Sequence, residues 1–291
     1  MTNLVKFSIT LSLVFLIDNV HADREAFEST YAPLAPEKII IQNASVYDGD
    51  GGELLETDIL VDNGKIIAIG KDLPFSNEFR VIDATGKWVT PGIIDIHSHM
   101  GVYPAPGVRT SSDGNEATSP VTADVWAEHS IWVQDPQYAL ALAGGVTAFH
   151  ILPGSANLIG GRGVTVKNLQ RVTINSMKFP DAPHSLKMAC GENPKRVYGN
   201  RGQAPSTRMG NAAGYRKSWI QAEAYLRKLN EYEEKSDEAK ELEYAPTRDL
   251  EMETLAGVLK GEILVHNHCY RADEMATMID IAKEFNYKIT A

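Results

Sequence analysis

The first part of the chain alternates short apolar runs with turn residues. Runs that fit short strands lie at 38–41, 58–62, 65–70, 81–84 and 87–89. Asn63-Gly64 stands between two of them, and Asn-Gly flanked by apolar runs is the strongest short signal for a β-hairpin. The pattern predicts a small β-sandwich over residues 38–90.

From residue 91 onwards, strand-like runs alternate with longer helical segments, which is typical of an α/β fold. The five predicted strands cover 91–100, 146–152, 164–167, 185–192 and 262–268, and residues 287–291 resemble the opening of a sixth. The predicted helices cover 123–143, 218–242, 248–260 and 272–285. The connections between these elements include a polar loop at 101–120 and a glycine-rich loop at 153–163.

The extreme N-terminus has the pattern of a secretory signal peptide. Lys6 precedes an apolar core from Phe7 to Ile17, and Val20-His21-Ala22 matches a small-residue cleavage site. A bilayer span needs about 20 apolar residues, so this core is too short to cross a membrane. We expect a signal peptide at 1–22, an N-terminal arm at 23–37, and an exported, periplasmic protein with no membrane span after cleavage.

Composition and charge narrow the classes of partner. Apolar residues make up 43% of the 291 residues and charged residues 23%, as in soluble globular proteins. The net charge of -10 argues against nucleic acid and against acidic membrane surfaces as partners. The two cysteines, Cys190 and Cys269, have no metal-binding or redox spacing, and the sequence leaves open whether they pair.

Two His-x-His motifs carry the candidate chemistry. His97 and His99 end one predicted strand, and His266 and His268 end another. Alternate side chains of a strand share a face, so each motif presents two imidazoles together, with Asp95 on the same face as the first pair. Imidazole suits zinc or a similar first-row divalent ion. We favour metal ligation over a chance pairing of core or surface histidines.

The segment Pro91-Gly92-Ile93-Ile94-Asp95-Ile96-His97-Ser98-His99 resembles the signature that opens the barrel of the amidohydrolase superfamily. Gly145-Val146-Thr147, Leu152-Pro153-Gly154 and the later His-x-His follow in that family's order. Within the family, the chain looks most like the imidazolonepropionase-related branch, which includes metal-dependent dipeptidases. The resemblance implies an α/β fold with a TIM-type (β/α)8 barrel over 91–291, preceded by the N-terminal part of a composite β-sandwich domain at 38–90.

By the same resemblance, the barrel is incomplete. Fewer residues follow Pro91 than the roughly 250 of a complete eight-stranded barrel, and about five strands fit. A further histidine ligand and the catalytic aspartate are expected beyond Ala291, so no catalytic residue is assigned within the chain. We expect the front part of an amidohydrolase.

The family pattern also assigns site residues. His97 and His99 would hold the more buried of one or two divalent ions, most simply zinc, and His266 or His268 would hold the second. A carboxylated Lys187 would bridge them, with Glu192 as the alternative bridge.

Glu192, Arg201 and Arg208 are candidates for substrate binding, since arginine pairs with carboxylates, although a solvated basic loop explains the arginines as well.

These assignments predict a hydrolase that acts on carbon-nitrogen bonds other than ordinary peptide bonds, or on dipeptide-like small molecules, by metal-activated water. A mononuclear deaminase or imidazolone-type ring hydrolase is the alternative, but Asn267 and Cys269 stand where a glutamate would favour it. A second alternative is an inactive, truncated metal-binding fragment. The substrate, the metal's identity and a homo-oligomeric state stay open.

Overall fold

The computed structural model describes residues 36–290. The predicted signal peptide at 1–22 and nearly all of the arm at 23–37 lie outside the described residues. The chain divides after Thr90 into two compact units. Within the described range, no helix is long and apolar enough to span a membrane.

The first unit is one five-stranded sheet, where the sequence predicted a small sandwich. Its strands are β1 (Ile39–Tyr47), β2 (Glu53–Asp62), β3 (Lys65–Gly70), β4 (Arg80–Asp83) and β5 (Trp88–Val89). The order is β3-β2-β1-β4, and β5 also pairs with β1. The predicted hairpin is confirmed: β2 and β3 are antiparallel, and Asn63 and Gly64 both have the positive φ that a type I′ turn requires, 50° and 69°.

The second unit is built on a six-stranded sheet. Its strands are β6 (Ile93–Ser98), β7 (Val146–Ile151), β8 (Ile159–Lys167), β9 (His184–Ala189), β10 (Ile263–His268) and β11 (Ile289–Thr290), in sequence order across the sheet. Its helices are α1 (Gln137–Ala143), α2 (Glu192–Gly199), α3 (Arg208–Glu233), α4 (Asp237–Glu241), α5 (Leu250–Leu259) and α6 (Ala272–Glu284). Short 3-10 turns lie at Arg109–Ser111, Ala127–His129 and Ile174–Ser176.

Strand β8 corrects the prediction of a loop at 153–163. It begins at Ile159 and runs antiparallel to both of its neighbours, β7 and β9. The connection from β7 has only residues 152–158, and a parallel crossover needs about a dozen residues or more, so the chain must turn back. Glycine is required at Gly161, where φ is +103° and a Cβ would lie 2.5 Å from the Val125 carbonyl oxygen.

Two predicted helices have different bounds. Only Gln137–Ala143 of the predicted helix 123–143 is α-helical, because Pro136 is compatible with a helix start but not with its interior. The predicted helix 218–242 starts earlier, at Arg208, and breaks after Glu233. Ser236 then caps a new helix, α4, through its hydroxyl group, which accepts a hydrogen bond from the Ala239 N–H.

The core of the second unit lies on one face of the sheet. Helix residues Trp219 and Leu255 pack there against the strand residues Leu186 and Val265, all of which are fully buried. Because side chains alternate along a strand, the positions next to Leu186 and Val265 point to the opposite face. That face therefore carries Lys187 and His266.

A half-buried carboxylate at the start of α5, that of Glu251, should make the stability of the fold depend on pH. Burial, with Asp124 and Asp249 nearby, raises the pKa of Glu251 from 4.5 to about 7. The folded state therefore binds this proton more tightly than the unfolded state, and stability is lost as pH rises from about 4.5 to about 7. We expect Glu251→Gln to raise the free energy of unfolding at pH 8 by about 1 kcal/mol, after allowance for solvent screening, with no gain at pH 4.

Urea denaturation at the two pH values measures this effect. Glu231→Gln, at an exposed position of α3, is the matched control and should show no difference between the two pH values. An equal gain from Glu251→Gln at pH 4 and pH 8 would show that the charge is not the cause.

Candidate metal centre

The six-stranded sheet curls so that strands distant in its order meet on the concave face. Strands β6 and β9 are separated by β7 and β8, yet His97 Nε2 and Lys187 Nζ lie 2.7 Å apart. Strand β10 adds His266, which is the register partner of Lys187 on β9. The curvature thus brings one predicted ligand from each of three strands to one place.

Hydrogen bonds orient two of the predicted ligands. His99 Nδ1 donates to the Leu152 carbonyl oxygen at 2.8 Å, which fixes the tautomer and leaves Nε2 as the acceptor nitrogen. His266 Nδ1 lies 3.2 Å from Thr290 Oγ1. Asp95 Oδ1 accepts a hydrogen bond from the His97 backbone N–H at 3.1 Å. Bonds made by the second ring nitrogen, as in His99 and His266, are typical of metal-binding histidines.

His268 is the last residue of β10, two positions beyond His266. Its Nε2 is 3.4 Å from Asn193 Nδ2, and its ring meets Tyr270 edge to face at 4.5 Å between centroids. Asn193 is buried and also donates to Ser155 Oγ at 2.8 Å. His268 is thereby held by the start of α2, whereas His266 is the register partner of Lys187 on the neighbouring strand.

The electrostatics of the cluster favour neutral nitrogen donors. Burial, and then the nearby Lys187 charge, lowers the pKa of His97 to about 4. Burial, and then the neighbouring His150, lowers the pKa of His266 to about 4 as well. Burial lowers the pKa of Lys187 itself to about 8. Burial also lowers the pKa of the other three imidazoles, His99, His150 and His268. Neutral imidazole is the form that binds metal ions.

These residues fit a divalent metal ion. Over residues 36–290, no three His, Cys, Asp or Glu side chains form a group that could hold a metal ion, so a site here would need a further donor such as Lys187. Lys187 is only 1% exposed. Among the described residues, its ammonium group has a hydrogen-bond partner in His97 but no carboxylate partner. A buried ammonium without an anionic partner is costly. A carboxylated lysine removes that charge and supplies the anionic oxygen donors that the imidazoles lack.

The predicted substrate-binding residues lie outside this cluster. Glu192 forms an exposed ion pair with Arg196 at 2.7 Å. Arg201 donates to the Ala117 carbonyl oxygen, so it tethers the 101–120 loop. Arg208 donates to Glu274 Oε1 at 2.5 Å. The structure therefore brings His97, Lys187 and His266 together, while these three side chains already have protein partners.

The ion pair between Arg208 and Glu274 joins the first turns of α3 and α6. Glu274 is buried and Arg208 is less than half exposed, so removal of the arginine leaves a buried carboxylate without its cation. We expect Arg208→Ala to lower the free energy of unfolding by about 1–2 kcal/mol, discounted for the exposed arginine. Thermal unfolding at pH 7 measures it.

Arg216→Ala is the matched control, since it breaks a pair with Glu284 in which both partners are exposed. Its cost should stay below about 0.5 kcal/mol. Equal losses in the two variants would refute a special contribution from the buried carboxylate.

Sequence reasoning missed two features of this region. The first is His150, which no motif in the sequence singles out, although its ring centroid lies 4.3 Å from that of His266. Cys190 and Cys269, whose pairing the sequence left open, form a disulfide between the ends of β9 and β10. The sequence held a signal for the disulfide, because Cys190 lies near the end of one predicted strand and Cys269 directly follows the end of the next.

Comparisons with known proteins identify the family. No family model matches the chain. A solved amidohydrolase from Thermotoga maritima MSB8 is 40% identical and superposes with a TM-score of 0.78 over 87% of this chain. Amidohydrolase tasK of Hapsidospora irregularis is 36% identical over 252 residues, or 80% of this chain. The chain belongs to the amidohydrolase superfamily. Members of this superfamily typically use a divalent metal, and the predicted α/β barrel class is confirmed.

The amidohydrolase relatives are longer than this chain. The matched region spans 63% of the Thermotoga maritima structure and 25% of tasK. A dihydroorotase from Thermoanaerobacter sp. (strain X514) is 43% identical over 82 residues, which cover 28% of this chain and 19% of the dihydroorotase.

Proposed function

We propose that this amidohydrolase is a metal-dependent hydrolase of carbon-nitrogen bonds other than ordinary peptide bonds, or of dipeptide-like small molecules. The observation that carries the proposal is the meeting of His97, Lys187 and His266 on the concave face, with His97 Nε2 2.7 Å from Lys187 Nζ. Barrel enzymes place their active sites at the strand ends where these residues lie. The names of the amidohydrolase and dihydroorotase relatives agree with this class of reaction.

Each residue has a defined part in the proposed site. His97 and His99 would hold one divalent ion through imidazole nitrogens, and His266 or His268 would hold a second. A carboxylated Lys187 would supply the shared anionic donor, because each of its two oxygens can bind one ion. Zinc suits this mixture of nitrogen and oxygen donors. A divalent ion in such a site supplies Lewis acidity and an activated water for hydrolysis.

The loop after β6 contributes the wall beside this site. Tyr103 meets the His99 ring edge to face at 5.7 Å, and the Gly154 N–H donates to the Gly114 carbonyl oxygen of the same loop at 2.7 Å. Glu192, Arg201 and Arg208 stay candidates for substrate contact, and for the arginines this requires that they exchange their present partners. We also propose export, with which the Cys190–Cys269 disulfide agrees, since disulfides persist in oxidising compartments.

The test is the zinc content of the purified 291-residue chain, with hydrolysis assayed on dipeptides and N-acyl amino acids. We expect bound zinc in the wild type and its loss in the double variant His97→Ala with His99→Ala. His184→Ala, an exposed histidine at the start of β9, is the control and should retain the metal. A chain without zinc, or zinc content that the double variant leaves unchanged, would contradict the proposal.

A further inference from the structure

His150 makes two hydrogen bonds that connect strands of the sheet. It belongs to β7 and is only 8% exposed. Its Nδ1 lies 3.2 Å from the Ile96 carbonyl oxygen on β6, and its Nε2 lies 2.7 Å from Ser185 Oγ on β9. A carbonyl oxygen only accepts, so Nδ1 carries the hydrogen and Nε2 of the neutral ring accepts from the Ser185 hydroxyl.

The bond to Ser185 passes across an intervening strand. Strand β8 lies between β7 and β9, and its residue Gly163 is the register partner of Ser185. A Cβ at Gly163 would lie 2.6 Å from Ser185 Oγ and 2.9 Å from the Ile151 carbonyl oxygen. The absence of a side chain at this position leaves the space through which His150 and Ser185 meet.

Both hydrogen-bond partners of His150 lie within two residues of a proposed metal ligand. Ile96 directly precedes His97, and Ser185 lies two residues before Lys187 on the same face of β9. The third contact is with a ligand itself, because the ring meets that of His266 at 4.3 Å with an interplanar angle of 64°. One buried ring thus contacts all three strands that contribute to the centre.

We propose that His150 is a positioning residue that sets the spacing of His97, Lys187 and His266. This inference rests on the proposed function, since it concerns the metal centre of the same site. His150 itself does not bind the metal, because both of its ring nitrogens are already hydrogen-bonded. It acts through the Ile96 carbonyl, the Ser185 hydroxyl and the His266 ring.

A purely structural histidine and a positioning histidine differ in which property changes when the residue is replaced. A structural role alone predicts a lower unfolding midpoint of the metal-free protein and an unchanged zinc affinity of the folded molecules. A positioning role predicts weaker zinc binding even where the metal-free fold is retained. Loss of supporting residues around metal ligands typically costs about 10–100-fold in affinity.

The experiment measures the zinc dissociation constant of metal-free protein by competition with a chromophoric chelator, and the unfolding midpoint in EDTA. His150→Phe keeps the ring and removes both hydrogen bonds, so we expect zinc binding about 10–100-fold weaker than in the wild type. His150→Gln, which reaches Ser185 with an amide, should restore much of the affinity. His184→Phe makes the same change at an exposed position of β9 and should bind zinc as the wild type does.

The outcomes separate this inference from the proposed function. If His150→Phe folds and binds zinc like the wild type, while His97→Ala with His99→Ala does not, the positioning role is refuted and the proposed metal centre stands. If the wild type binds no zinc, both fail. If His150→Phe does not fold, Ser185→Ala decides: weaker zinc binding supports the role, and unchanged binding overturns it.

Discussion

Lys187→Met is expected to separate the stability of this protein from its capacity to bind metal. Lys187 is 1% exposed and is the cation that faces the histidines of the concave face. Methionine has a similar length and no charge, so the desolvation cost of the buried ammonium disappears. We expect the metal-free variant to gain about 2 kcal/mol in free energy of unfolding at pH 7, since the effective penalty for burying one ion is several kcal/mol.

The same substitution should greatly weaken zinc binding. A bridging carboxylated lysine is a direct ligand, so its loss should exceed the roughly 10–100-fold that a supporting residue costs. We therefore expect a loss of more than about 100-fold in zinc affinity. Urea denaturation in EDTA and chelator competition measure the two effects. A site that loses stability to gain a ligand is a common compromise in functional centres.

Lys167→Met is the control for both measurements. Lys167 is also a strand lysine, but its ammonium lies over the Phe179 ring, away from the histidines. Its replacement should leave the zinc affinity unchanged. Carbon-13 NMR after incubation with labelled bicarbonate adds a direct test, because a carbamate signal should be present in the wild type and absent from Lys187→Met. Wild-type zinc affinity in Lys187→Met would refute the bridging role.

Local signals predicted the parts of the fold that depend only on residues close together in the sequence. Asn63-Gly64 requires a tight hairpin whatever surrounds it, and the structure has one. The alternation in β10 likewise places His266 and His268 on one face, because the pleat sets the direction of each side chain. These features follow from backbone geometry and need no tertiary information.

The sequence failed where tertiary contacts override local preference. Glycines at 160, 161 and 163 favour a loop by composition, yet they lie in β8. A Cβ would lie too close to Val125 at position 161 and to Ser185 at position 163. The role of His150 depends on a partner 35 residues away across that strand. Spacing in the sequence cannot reveal such a contact, although the short β7-to-β8 connection could have predicted the antiparallel turn.

The disulfide between Cys190 and Cys269 should contribute more to stability than any single ion pair described above. It joins the ends of β9 and β10, with a Cα–Cα distance of 5.1 Å and a sequence separation of 79 residues. In the chain-entropy description, a cross-link over a loop of this length restricts the unfolded chain by about 4.5 kcal/mol, and measured values are typically about 2–4 kcal/mol. The Cys190 N–H also donates a hydrogen bond to the His268 carbonyl oxygen at 2.7 Å. The disulfide therefore extends the existing pairing of β9 with β10.

The double variant Cys190→Ala with Cys269→Ala should therefore lose about 3 kcal/mol of unfolding free energy. Urea denaturation with and without a reductant measures it, and the reductant should destabilise the wild type to a similar extent while leaving the double variant unchanged. Cys269→Ala alone should match the double variant, because either change opens the loop. Thiol titration should first show that the wild type is fully reduced. If the reduced wild type then kept its urea midpoint, the cross-link would contribute nothing to stability. Strand pairing alone would hold His268 beside the centre.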